Sequence, residues 1–128
     1  MITLVSRDRS LVVPNPRHVL GLRAEAAAAG WLQDQGWSVL ARRHRTRWGE
    51  LDLVCRDPAG ALVAVEVKLR SSDRTGPAAA SVDRRRLGRL RRALAAYAAS
   101  HARREPELRI DLVTLTRTAP GWRWYARG

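Results

Sequence analysis

The sequence predicts an α/β fold in which a central mixed β-sheet is flanked by helices, and three observations carry that reading. The run from Ala61 to Leu69 is apolar on both faces, with Val63, Val65, Val67 and Leu69 on one and Leu62 and Ala64 on the other, as a strand covered on both sides must be. Segments with helical periodicity lie on either side of it in the chain and can supply the covers. Turn signals before it mark off two further strands, so the order is helix, three strands, helix, two strands. At 128 residues the chain suits one domain with a single core.

Residues 1–16 end in Pro14, Asn15 and Pro16, where two prolines block a helix, and read as an N-terminal arm ahead of a single domain over 17–128. Val19 to Gln35 is alanine-rich and helical, with Gly36 as its stop. Glu25 falls on or beside the apolar stripe of this helix, an unusual place for a charge. Trp37 to Arg43 and Gly49 to Arg56 read as strands, and Asp57 to Gly60 as the turn into the third, Ala61 to Leu69. A polar loop, 70–80, leads to a long helix from Val82 to Arg103 whose buried face is Leu87, Leu90, Leu94, Tyr97 and Ala98. Leu108 to Thr116 is a fourth strand, and Trp122 to Tyr125 a fifth, expected at an edge.

The net charge is +12 and the pI about 11.6, so the chain attracts polyanions and repels its own copies; nucleic acid is the expected partner. Codon bias towards arginine is the plainer source of such charge. Cys55 is alone, which excludes an intrachain disulfide or a cysteine zinc cluster, and His18, His44 and His101 share no ligand spacing. No glycine-rich phosphate loop occurs. No apolar run approaches a signal core or the ~20 residues of a membrane span, so a cytoplasmic protein with no membrane partner is expected.

Among 24 basic side chains there is one lysine, Lys68. Lysine is a compact charge and arginine a planar fork, so position 68 calls for an ammonium, or else Lys68 snorkels from a strand end. Glu66 precedes it on the same face, and Glu50 and Asp52 share a face of the second strand. If Asp57 to Gly60 closes a hairpin, Asp52 and Glu66 face each other symmetrically about position 59. Two carboxylates so close raise each other's pKa unless a cation sits between them, and neutralising Glu66 should then relieve the crowding. A hard divalent ion satisfies both, and oxygen ligands with room for water suit Mg²⁺, or Mn²⁺ in its place. Asp111, within an apolar segment, is either a further buried carboxylate or turns outward. Glu50 either joins the cation from the Asp52 face or pairs with Arg47 at the surface, the second being favoured. Six arginines crowd the start of the second helix, as a solvated face or as a phosphate-binding one.

In this order, Glu25, Gly49-Glu-Leu-Asp52, Val65-Glu-Val-Lys68, Gly76-Pro77, the basic helix and Arg109-Ile-Asp111 resemble the YraN family of bacterial proteins, which belongs to the restriction-endonuclease-like, PD-(D/E)XK, superfamily. The resemblance covers about Gly21 to Leu115. It implies an αβββαβ core and a metal-dependent nuclease site similar to that of archaeal Holliday-junction resolvases. The chain departs from the family in having Ala64 where an aromatic residue is usual and Arg86 where a lysine is.

On that resemblance the expected function is phosphodiester hydrolysis with one or two Mg²⁺ ions. Asp52 and Glu66 would bind the metal with the Val67 carbonyl as a further ligand, Glu25 would hold a metal water or a second ion, and Lys68 would orient the attacking water. Arg45, Arg47, Arg70, Arg74 and Arg86 would hold the nucleic-acid backbone, with DNA as the expected partner. No recognition module is present, so selectivity for structure over sequence is expected, and cutting two strands would ask for a homodimer. Two other classes remain: an inactive nucleic-acid-binding module of the same fold, and a protein-interaction adaptor using Trp122 and Trp124, which are otherwise core or edge-covering residues.

Overall fold

A computed structural model of the chain describes residues 2–7, 20–70, 84–101, 104, 106–116 and 122–127. It is an α/β structure of eight elements: β1 (Ile2–Arg7), α1 (Leu20–Asp34), β2 (Ser38–Thr46), β3 (Gly49–Arg56), β4 (Leu62–Arg70), α2 (Arg84–His101), β5 (Leu108–Thr116) and β6 (Trp122–Arg127). The six strands form one mixed sheet in the order β1-β6-β5-β4-β3-β2. Only β4 and β5 run parallel, which requires a crossover, and α2 lies within it.

Each boundary has a local cause. Helix α1 ends in a Schellman motif: Gly36 adopts φ +90, its N–H bonds the Gln33 carbonyl, and the Trp37 N–H reaches back to Leu32. Trp37 therefore closes the helix, and β2 starts one residue later than its sequence suggests. The β3–β4 turn is tied by the Asp57 carboxylate, which accepts the Ala61 N–H at 2.8 Å, and by Gly60 at φ +99. At the β2–β3 turn Thr46 Oγ1 donates to the Gly49 carbonyl at 2.8 Å and accepts the Trp48 N–H at 3.0 Å.

The helices cover opposite faces. Val63 and Val65 of β4 pack with Ala28, Ala29 and Leu32 of α1, while Leu62 and Ala64 pack with Leu90, Leu94 and Tyr97 of α2. Strand β4 is thus central and covered on both sides, as its two apolar faces require. Cys55 is fully buried in β3 on the α1 side, and burial, helped by the charge of Asp111, pushes its thiol up to about 12.

One sequence expectation meets a different arrangement. Strand β6 is not at an edge, because Ile2–Arg7, within the segment read as an arm, pairs antiparallel along it. Long-range pairing of this kind leaves no local signature. The side chains of Trp122 and Trp124, on which the adaptor reading rested, lie outside the described residues. Among those described, no helix is long and apolar enough to cross a membrane.

Candidate functional site

The site forms where β3 and β4 part. Their ladder runs from Arg56↔Leu62 to Leu53↔Val65, a register centred on position 59, so Asp52 and Glu66 would be the next pair. The ladder stops there. Arg43, which lies between the Arg42↔Leu53 and His44↔Leu51 pairs of the β2–β3 register, takes a left-handed conformation at φ 49, a strained state for a residue with a Cβ. Leu51 and Leu53, two apart, join the cores on opposite faces of the sheet. The alternation thus breaks at Asp52, whose carboxylate takes over the ladder: Oδ2 accepts the Val67 N–H at 2.9 Å.

The Asp52 and Glu66 carboxyls act on each other, and two buried acids so close favour holding one proton between them. Burial, reinforced by the bond to Glu66 and its charge, raises the Asp52 carboxyl from 3.8 to about 8. Burial would raise Glu66 too, but hydrogen bonds from Asp52 and Arg86, with the charges of Arg86 and Lys68, outweigh it and hold Glu66 low. Asp52 therefore carries the proton and Glu66 the charge.

Glu66 is 3% exposed. It extends the face of Leu62 and Ala64 towards α2, where the Arg86 guanidinium donates to its Oε2. Arg86, foreseen as a contact to nucleic-acid backbone, is thereby engaged with Glu66 of the acidic pair. Lys68 follows on the same face, half-buried, and its charge acts on Glu66. Glu25 comes from α1 on the other face; its side chain is 13% exposed and lies 3.9 Å from Arg43. Burial raises its carboxyl against the pull of Arg43, with Glu50 and Glu66 adding to the rise. The acids thus straddle the sheet: Asp52 and Glu66 meet directly, while Glu25 acts on them through its field. Among the described residues no group of three or more His, Cys, Asp or Glu is spaced to hold a metal.

Glu50 pairs with Arg43 and Arg45, each at 3.4 Å, and not with Arg47, because the register sets Arg45 opposite Glu50. Arg47 instead lies over the Trp48 ring, 4.6 Å from its centre. The Arg70 side chain and Arg74 fall outside the described residues. Asp111 is fully buried and held bidentately by Arg109 at 2.7 and 3.1 Å, which also donates to Asp57 at 3.0 Å. This triad lies on the α1 side and ties β5 to the β3–β4 turn, so Asp111 belongs to the framework. Neither Arg86 as a partner of Glu66 nor the strained Arg43 is signalled by sequence pattern. The first needs a helix docked from a distance, and the second a backbone conformation that arginine seldom adopts.

A family model described as "Uncharacterised protein family UPF0102" matches residues 24–115, a span that holds Glu25, Asp52, Glu66, Lys68 and Arg86. The chain is 41% identical over 114 residues to the UPF0102 protein BAV3162 of Bordetella avium, covering 89% of this chain and 78% of that one. It is 43% identical over 105 residues to a UPF0102 protein of Beutenbergia cavernae, covering 82% and 88%. With a UPF0102 protein of Halorhodospira halophila identity reaches 49% over 81 residues, or 63% and 66% of the two chains.

Proposed function

The chain belongs to the uncharacterised protein family UPF0102, and we propose that it is a metal-dependent nuclease with a restriction-endonuclease-like core, hydrolysing phosphodiester bonds with more regard for nucleic-acid structure than for sequence. One observation supports this reading above the others: the β3–β4 register carries Asp52 towards Glu66 at the point where the ladder stops, with both acids largely withdrawn from water. A dication between two such acids would offset their repulsion.

The donor set fits Mg²⁺ or Mn²⁺, which accept one or two carboxylates and complete their shell with water and phosphate oxygens. Asp52 and Glu66 would hold the ion, with the Val67 carbonyl beside them and Glu25 bearing a water from the opposite face. Bound there, the ion supplies Lewis-acid stabilisation of the phosphoryl oxygens and a more acidic water. The Val67 N–H holds Oδ2 of Asp52 and Arg86 holds Oε2 of Glu66, so each acid would have a second oxygen to offer the ion. Lys68 orients the attacking water and offsets charge that develops on the phosphoryl group. Arg45 and Arg47, exposed on the β2–β3 hairpin, would meet substrate backbone, together with Arg70 and Arg74.

The test is incubation with linear, nicked, branched and single-stranded DNA and with RNA in Mn²⁺, beside Asp52→Asn. Cleavage lost in the variant supports the reading. Cutting that survives in the variant would overturn it. An inactive binding module of the same fold is the second reading, favoured by the lack of a three-ligand group among the described residues. It predicts nucleic-acid binding without cleavage, and melting temperatures of wild type and Asp52→Asn that Mn²⁺ moves equally.

A further inference from the structure

We propose that the stripe of Arg85, Arg89 and Arg92 on α2, continued by Arg47 and Trp48 at the β2–β3 turn, is a track for the phosphodiester backbone of nucleic acid. The choice of ligand rests on the nuclease reading; the path across the surface is new. Spacing of four and three residues sets the three arginines on one side of the helix, over a rise of about 10 Å. All three are exposed, beside the buried face of Leu90, Ala93, Leu94 and Tyr97. The helix contains no Asp or Glu that would neutralise them.

A solvated basic face would have that charge alone. Here a second element joins it. The guanidinium carbons of Arg47 and Arg92, one from the turn and one from the helix, lie 4.6 and 5.3 Å from the centre of the Trp48 ring, and Trp48 is packed against the α2-side core. Among the described residues neither guanidinium has an ion-pair partner. Two like charges gathered on one ring repel, and an anion between them relieves the repulsion. The ring also restricts both side chains beforehand, which lowers the entropy lost on binding. At the other end Arg86, next to Arg85, turns inward to Glu66. A strand laid along the stripe therefore runs from Trp48 to the acidic pair.

The experiment measures binding of a short fluorescent DNA duplex, and of its single strand, by anisotropy in EDTA between 50 and 200 mM salt. Removing two phosphate contacts from duplex with Arg89→Ala/Arg92→Ala should lower the slope of log Kd against log salt by about 1.8, at ~0.9 per contact. The control Arg56→Ala/Arg104→Ala removes the same charge away from the stripe and should leave the slope unchanged. An unchanged slope in the first variant overturns the track, as does an equal fall in the control. So does loss of binding to an acidic peptide alone, with DNA binding intact. Asp52→Asn should bind with the wild-type slope; if it also cuts like wild type, the nuclease reading fails while the track stands.

Discussion

Asp52→Asn should make the metal-free protein more stable, and increasingly so as the pH rises. In the folded state Asp52 is a protonated acid that accepts the Val67 N–H and donates to Glu66. An asparagine repeats both bonds at every pH, its carbonyl towards Val67 and its amide towards Glu66. In the wild type the folded-state value, about 8, lies above the unfolded-state value of 3.8. The unfolded chain therefore releases its proton first, so stability is full below about pH 4 and is lost as the pH climbs towards 8. A shift of about four units at 1.36 kcal/mol each sets a ceiling near 5 kcal/mol. The half-buried setting of Asp52 and the opposite shift of Glu66 reduce this to about 2 kcal/mol. For a chain of this size that is roughly 6–10 °C in Tm. The assay is thermal or urea denaturation of both proteins in EDTA at pH 4.5, 6 and 8, repeated with Mn²⁺, which should narrow the gap by binding wild type more tightly. A gap that does not change with pH, or a variant no more stable than wild type at pH 8, would refute the proton-sharing argument.

Neutralising the partner should act the other way. Glu66→Gln and Arg86→Ala each break the Arg86–Glu66 ion pair; with Arg86 partly exposed the cost is about 1–3 kcal/mol in urea unfolding. Stabilisation by Glu66→Gln, as crowding alone would give, would count against the assignment of the proton to Asp52. Lys68→Ala should abolish Mn²⁺-dependent cleavage while DNA affinity changes less than about threefold, and Lys68→Arg should not restore it, since a planar fork cannot replace a compact ammonium; cutting by the arginine variant at the wild-type rate would remove Lys68 from the chemistry. Arg109→Ala, which removes the bidentate ion pair to the buried Asp111, should cost about 3–5 kcal/mol in unfolding free energy and leave the salt slope of DNA binding untouched; a variant of wild-type stability would show that the triad contributes nothing.

Much of this site could be read in the chain because local rules governed it. The Asp57 to Gly60 turn set a register, the register brought Asp52 opposite Glu66, and the two-residue period kept Lys68 on the Glu66 face. The position of Glu25 beside its apolar stripe likewise foretold a half-buried acid. What remained hidden depended on departures from those rules. Strict alternation cannot show that β3 turns at Asp52 so that a carboxylate stands in for a backbone carbonyl. Nothing near Arg86 in the sequence reveals that its helix will dock over β4 and deliver a guanidinium to Glu66. The β1–β6 pairing and the Arg109 triad were hidden for the same reason: both join segments that meet only in the finished sheet. Asp111 had two readings of equal standing until its partner was in view.

The lone thiol of Cys55 offers a use of its own. Enclosed in the middle of the sheet and strongly disinclined to ionise, it will ignore alkylating dyes until the strand that carries it opens. Its labelling rate is therefore a native clock for the breathing of the hairpin that bears Asp52 and Glu66. Slowing of that clock by manganese would report occupancy in a protein to which no reporter has been added.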